Sequence, residues 1–354
     1  EFCDIVSLFG HRVRTKSVQQ FVDEMETIYR LGVRGNVFVV DDNFIGNRRR
    51  VKELLRGIAA WQQAMGYPFS LSTEASIDLA DDPELLDLMA ACGFKMVFVG
   101  LETPVLSSLR ASGKQQNVRG NMVEKVHRIQ RAGIEVTAGF IIGFDSDPED
   151  IGDRQIDFIE HLGVPIAMVG LLTALPNTRL WDRLSREGRI RFRSGGNNTH
   201  TGELNFVPTV SAKTLVAEYR RVLKTIYRPR RYFRRALSLI TTLPKRPTTP
   251  RLSKRGRISK SQARALVLSL TRQGLSSYAI WYWCFLCRAV VARPRLFVTI
   301  VTLAVQGHHF FVITDRLMRT VEAESRAVNA SGAPRSRNRE LAVTSRRDTL
   351  VSEH

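Results

Sequence analysis

Between residues 17 and about 185, short apolar runs rich in β-branched and aromatic residues alternate with amphipathic stretches, one pair about every 30 residues. Phe21, Val22, Met25 and Ile28 share one face of a helix over residues 18–31, which Gly32 stops. Residues 36–40 read as a buried strand, and Asn47 caps a helix running through Val51, Leu54, Leu55 and Ile58 to Gly66. The alternation continues with a strand at 69–73, a helix opened by Pro83 and ending near 91, and a strand at 96–99. A helix at 122–132, a strand at 135–142, a helix opened by Pro148, a strand at 166–172 and a short helix at 180–184 complete it. The period predicts repeated β/α units on a parallel sheet, with five strands following Cys3.

In such barrels the active residues stand at the C-terminal strand ends and in the loops just beyond. Polar residues interrupt the apolar pattern there: Asp41, Asp42 and Asn43, then Glu74, then Glu102 and Thr103, then Gly139 to Asp145, then Thr173. Any one of these carboxylates can be a solvated loop residue or a helix cap. Four consecutive strand ends carrying them point to a site.

The C-terminal half has a different character. A helix at 212–227 is followed by a Pro-rich, basic connection at 241–259 and two apolar stretches at 278–292 and 296–305, separated by Arg293-Pro294-Arg295. Each stretch falls short of the roughly 18 residues that suggest a membrane span. Buried helices are the first account, and helices lying in a membrane surface the second. Residues beyond about 325 read as a disordered tail.

Charge follows the same division. Residues 1–180 carry 19 Lys and Arg against 24 Asp and Glu, whereas residues 181–354 carry 34 against 10. A basic half attracts phosphate, on nucleic acid, on lipid or on a soluble substrate. The run from Arg228 to Arg235, which includes Tyr232 and Phe233, fits nucleic-acid contact or a solvated helix face. With 44% hydrophobic residues, the 354-residue chain can bury at least one large core. Its four cysteines, Cys3, Cys92, Cys284 and Cys287, are too scattered for a disulfide framework, and no secretory signal is present. A reducing, cytoplasmic setting is expected.

The opening Glu1-Phe2-Cys3-Asp4-Ile5 resembles the end of the Cys-x-x-x-Cys-x-aromatic-Cys loop of radical S-adenosylmethionine (SAM) enzymes. The first two cysteines of that loop would lie upstream of Glu1, and Cys3 would be the third ligand of a 4Fe-4S cluster. Thiolates suit such clusters, and three of them leave one iron open to SAM. The strand-end segments extend the resemblance. Val39-Val40-Asp41-Asp42-Asn43-Phe44 is similar to the segment that binds the SAM amino group, with helix capping by Asn43 as the competing account. Val99-Gly100-Leu101-Glu102-Thr103-Pro104 is similar to the motif whose Glu reaches the ribose or methionine portion. Gly139-Phe140-Ile141-Ile142-Gly143-Phe144 is similar to the glycine motif flanking adenine, and Leu172-Thr173-Ala174-Leu175-Pro176 to the sixth-strand segment of cobalamin-associated members. Thr73-Glu74-Ala75-Ser76 fits these members as well.

The resemblance implies a partial (β/α)6 TIM-type barrel, α/β in class, over residues 1–188, a mainly helical basic domain over 189–324, and a tail over 325–354. It covers residues 1 to about 240 and is strongest to the cobalamin-associated, hopanoid C2 methylase-like group, with its C-terminal domain of unknown function. Phe2, Asp41, Asp42, Asn43, Glu74, Glu102, Gly139, Gly143, Leu172 and Thr173 would then hold cofactor, and Cys3 metal. The implied cofactors are a 4Fe-4S cluster, S-adenosyl-L-methionine and cobalamin. The implied reaction is reductive SAM cleavage followed by methylation of an unactivated carbon. A hydrophobic or lipid substrate and an electron donor such as flavodoxin or ferredoxin are the implied partners, with peripheral contact at the inner face of the membrane. Nucleic acid is not among them. Cys284-x-x-Cys287 falls inside an apolar run and reads as a helix face rather than a replacement ligand pair. The rival reading is an inactive barrel serving as a basic membrane- or RNA-associated binding protein.

Overall fold

Local chemistry sets most helix starts. In the computed structural model, which describes residues 1–10, 12–194, 204–245 and 260–331, α1 (Ile5–Phe9) is a short helix and α2 (Val18–Arg30) begins at a capping box. The Ser17 hydroxyl accepts from Gln20 N, and the Gln20 side chain accepts from Ser17 N. After β1 (Gly35–Phe38), Asn47 caps α3 (Arg48–Ala64) by accepting from Arg50 N. β2 (Phe69–Glu74) leads to α4 (Pro83–Ala91), where Asp82 caps and Pro83 occupies the first turn, and then to β3 (Phe94–Glu102). α5 (Leu106–Ala111), α6 (Gln115–Val118) and α7 (Met122–Arg131) precede β4 (Glu135–Ile142). α8 (Ile151–Leu162), β5 (Ala167–Leu171) and α9 (Arg179–Arg186) follow. Pro148 does not open α8, as the sequence suggests; the helix starts three residues later, with Asp150 at its cap position.

The five strands pair in parallel in chain order, β1-β2-β3-β4-β5, so the sheet is an open half-barrel with every strand pointing the same way. Burial alternates along the strands: Val97, Val99 and Leu101 of β3 are fully covered, whereas Phe98 and Gly100 are only partly so. The covered side packs on the helices through Leu55, Ile58, Met89, Val126, Ile129 and Ile159, all inaccessible to solvent. The opposite side is open enough that Phe38 of β1 and Met168 of β5 are 42% and 51% exposed.

Beyond the barrel come α10 (Ala212–Ile226), α11 (Pro229–Thr242), α12 (Lys260–Gly274), α13 (Ala279–Ala292) and α14 (Phe297–Ser331). The chain forms one compact unit from Glu1 to Phe311 and a second from Val312 onward. The basic run at 228–235 is not simply a solvated face: Arg235 is 1% exposed. Its Nη1 lies 2.7 Å from Glu160 Oε1, its Nε donates to Val164 O at 2.9 Å, and its Nη2 donates to Ile226 O at 2.7 Å. Tyr227 adds a second tie, donating to Ala167 O and accepting from Ala167 N. These bonds fasten α10 and α11 to the strand entrance of β5. α14 is also longer than the apolar pattern suggests, and Pro294–Arg319 is long and apolar enough to cross a membrane by length and composition. Of the expected connection at 241–259, Thr241 and Thr242 still belong to α11 and residues 246–259 lie outside the described residues; of the expected tail at 325–354, residues up to 331 continue α14 and the rest lie outside them.

Replacing Arg235 by Ala leaves two carbonyls and one carboxylate short of a buried partner. The expected loss is about 3 kcal/mol of unfolding free energy in denaturant titrations. Arg231→Ala, which removes a partly exposed guanidinium 3.8 Å from Glu160, is the contrast. Its expected effect is within about 1 kcal/mol.

Candidate active site

Because the strands are parallel, their C-terminal ends share one rim, and the polar residues singled out by the sequence stand along it. At the β1 end, Asn43 does not cap a helix. Its Oδ1 accepts from Ser76 N at 3.1 Å and from Ser76 Oγ at 3.3 Å, and its own N donates to Asp41 Oδ1 at 3.0 Å. Phe44 N donates to Glu74 O at 3.0 Å, so the loops after β1 and β2 are stitched together. Asp41 and Asp42 are exposed, and Glu74 is half-buried beside them. Burial first, then the charges of Asp42 and Asp41, hold the Glu74 carboxyl above its usual range. This side of the rim is a negative patch suited to a cation.

Glu102 ends β3 in an unusual conformation. Its φ is +65°, a left-handed value that side-chain-bearing residues avoid, and the register with β4 is irregular between Gly100 and Glu102. The surroundings enforce it: Asn117 Nδ2 donates to Gly100 O at 3.0 Å and Leu101 O at 3.1 Å, and Gln155 Nε2 reaches Glu102 O at 3.4 Å. The result buries the Glu102 carboxylate, 6% exposed, against Lys114 Nζ at 2.7 Å. A Cβ on Gly100 would stand 2.6 Å from Glu102 Oε1. Glycine there makes room for the carboxylate itself. Lys114 Nζ also lies 5.2 Å from the Phe2 ring centroid, a cation–π distance.

The β4 and β5 ends meet at Phe2. Its ring packs on Phe144 at 5.7 Å, and Glu1 pairs with Arg183, which together with Arg189 holds Asp145. Gly143 has φ +116°, and a Cβ on it would stand 3.0 Å from Leu215 of α10 and 3.5 Å from Leu172. The Phe98 ring covers Gly139, 2.9 Å from where a Cβ would lie. Leu172 is buried and joins Phe2, Phe144, Leu180 and Arg183 around a space of about 30 Å³. Thr173 Oγ1 turns back to donate to Leu171 O at 3.3 Å. Cys3 is exposed beside this group.

Phe2, Glu102, Gly143 and Leu172 thus gather on the β3–β5 side, while Asp41, Asp42, Asn43 and Glu74 gather on the β1–β2 side. Another cavity, of about 410 Å³, opens beside β1 between α2 and α3 and has Asp41 but not Glu102 in its wall. Two contributors escaped the sequence reading. Lys114 sits in a polar stretch with no periodicity. Asp147 lies two residues past the segment that drew notice; its Oδ2 accepts from Gly143 N at 2.8 Å and Phe144 N at 3.0 Å, and its Oδ1 accepts from Ser108 at 2.8 Å. It shapes the glycine loop from behind.

Comparison with known proteins places the chain in a family. The profile of the radical SAM superfamily matches residues 1–188, and that of a domain of unknown function, DUF4070, matches residues 178–323. An uncharacterised methyltransferase of Synechocystis sp. is 40% identical over 88% of this chain and 58% of its own length. The hopanoid C-2 methylase of Rhodopseudomonas palustris is 32% identical over 90% of this chain and 60% of its own length. The chain therefore spans about three fifths of these relatives. A radical SAM methyltransferase from Kitasatospora setae, solved with cobalamin and a 4Fe-4S cluster, superposes loosely: TM-score 0.45 and 18% identity, covering 85% of this chain and 56% of that one.

Glu74 offers a test of the negative patch. Its folded form keeps its proton to higher pH than the unfolded chain does, so stability is lost as pH rises from the usual 4.5 through the raised value. Glu74→Gln is expected to raise the melting temperature at neutral pH and leave it unchanged in acid. Melting scans at both pH values check this.

Proposed function

Because the chain belongs to the radical SAM superfamily, we propose that its rim binds SAM, as part of a cobalamin-dependent methyltransferase acting on an unactivated carbon of a lipid-like substrate. One observation carries the reading: the segment around Cys3 lies against the buried Glu102–Lys114 pair at the shared strand ends. The hopanoid methylase among the relatives and the methyltransferase with 40% identity support methyl transfer and an apolar acceptor.

In this reading Glu102 accepts hydrogen bonds from the ribose hydroxyls or the methionine ammonium of SAM, and Lys114 and Asn117 hold it in place. Such acceptance by a dry carboxylate is strong because the charge has few other partners. Asp41, Asp42 and Glu74 favour the positive end of the ligand, with Asn43 keeping their loops in register. Asp147 fixes the Gly143 and Phe144 amides, so the glycine loop presents backbone beside Leu172 and Thr173. Phe2 shields Lys114 from water.

When bound, a 4Fe-4S cluster supplies the electron that cleaves SAM, and cobalamin supplies methyl carriage. The described residues of this chain do not form a three-thiolate site. Cys92 precedes β3, at the opposite end of that strand from Glu102; its thiol is buried, donates to Leu55 O, and is pushed up to about 12 by burial. Cys284 and Cys287 are on α13. Among the described residues no group of three metal-binding side chains occurs. Cys3 is therefore assigned one ligand position only. A flavodoxin- or ferredoxin-type donor and a cytoplasmic location belong to the same proposal.

Anaerobic reconstitution of the full-length protein with iron and sulfide tests it. The expected result is 4Fe-4S absorption and reductive SAM cleavage, with Cys3→Ala losing the absorption. Glu102→Gln should keep the iron while weakening SAM binding about tenfold to a hundredfold. Unchanged iron content in Cys3→Ala, or unchanged SAM affinity in Glu102→Gln, rejects the respective assignment.

A further inference from the structure

The helices after the barrel carry an apolar surface that nothing in the compact unit covers. α13 buries one line of side chains, Tyr282, Phe285 and Ala289. The opposite line is Ile280, Cys284, Cys287 and Val291, with Ile280 69% and Val291 84% exposed and both thiols in solvent. Trp283 borders it, and Arg288 is the single charge on the helix. A helix apolar on both faces belongs in a core or a membrane, and only one of its faces is in this core. The start of α14 continues the pattern, with Val298 at 68% and Val305 at 39% exposed.

The charge around this surface has one sign. From Tyr219 to Thr314 the sequence holds 20 Lys and Arg and no Asp or Glu. Where α13 meets α14, Lys245, Arg293 and Arg295 line a cleft of about 350 Å³ together with Pro244, Pro294 and Leu296. Arg293 donates to Thr241 O at 2.8 Å through Nη2, and its shielded Nε has no hydrogen-bond partner. The cationic cleft therefore abuts Ala292 and the apolar line that ends at Val291. Arg230 lies 5.2 Å over the Trp281 ring, placing a further cation beside the aromatic edge.

We infer that this face is a docking surface for an anionic lipid bilayer, on which α13 and the first turns of α14 lie in the plane of the headgroups. Exposed aliphatic and indole side chains enter the boundary between headgroups and acyl chains, and the surrounding guanidinium and ammonium groups meet lipid phosphates. The cleft of Lys245, Arg293 and Arg295 takes one phosphate headgroup. The part of α14 up to Phe311 lies along the bilayer rather than through it, because it is tied lengthwise into the protein. Ile300, Leu303 and Ala304 are fully buried, Tyr232 donates to Leu303 O at 2.7 Å, and Phe310 stacks on Tyr227 at 4.6 Å. A Cβ on Gly307 would come within 2.4 Å of the Tyr232 ring, so the contact is close along this length. This inference is independent of the methyl-transfer reading and stands or falls without the cluster.

The test is vesicle flotation of the full chain with phosphatidylcholine alone and with phosphatidylcholine containing phosphatidylglycerol. Flotation is expected with the anionic vesicles at low salt, together with a blue shift of tryptophan emission that the Trp281→Phe/Trp283→Phe variant lacks. High salt should weaken it by about tenfold or more. Ile280→Asp/Val291→Asp alters only exposed positions and should abolish flotation with the circular dichroism unchanged. Lys245→Glu/Arg295→Glu should remove the preference for anionic vesicles. The proposal is overturned by absence of flotation at low salt, or by Asp variants that float like the parent. It is equally overturned if those variants instead dissolve a dimer seen by sedimentation, or if the parent binds a short RNA at low salt and floats with neither vesicle.

Discussion

Parallel pairing in chain order is the constraint on which the rest of the molecule hangs. Each strand must return to the same end of the sheet before the next can pair, and a helix makes each return. The loops at the other end are then free of that duty and lie side by side. Asp41, Glu74, Glu102, Gly143 and Leu172 are spread over more than a hundred residues of sequence, yet one rim collects them. No single bond is responsible. The ladders between β1 and β5 set the spacing, and the helix layer behind them supplies the apolar burial that holds the curvature.

Within that frame the site divides by electrostatics. On the β1–β2 side Asp41, Asp42 and Glu74 form no ion pair among the described residues, and burial first, then the two neighbouring charges, raises the proton affinity of Glu74. On the β3–β5 side three carboxylates have partners: Glu102 with Lys114, Asp145 with Arg183 and Arg189, and Asp147 with two backbone amides and Ser108. Left-handed backbone at Glu102 costs on the order of 1–3 kcal/mol and persists only because Asn117 and Gln155 pin the surrounding carbonyls. A half without ion pairs thus lies beside a half that is internally paired.

Much of this was legible in the sequence because it is local. Asn47, Pro83 and Gly32 act within one turn of their own position, and the strands are apolar runs bounded by such signals. Glu102 and Gly143 were visible as polar or glycine breaks at strand ends. What escaped depends on contacts between distant segments. Lys114 finds Glu102 only after the bulge turns the carboxylate back across Gly100. Arg235 reads as one more surface cation until Glu160 of α8, 75 residues earlier, meets it beneath α11. Asn43 has the chemistry of a cap, and its position beside Ser76 of the neighbouring loop decides otherwise. The extent of α14 escaped because His308, His309 and Gln306 break the apolar run without breaking the helix.

Gly143 joins the two parts of the chain in a way neither part reveals alone. Leu215 of α10 leaves no more than 3.0 Å to the place a Cβ on this residue would take, at the loop that Asp147 ties. The C-terminal helices consequently meet the barrel at the glycine loop itself. A side chain at residue 143 would press on α10 as well as strain the backbone, so the same glycine sets both the shape of the loop and the seating of the helix behind it.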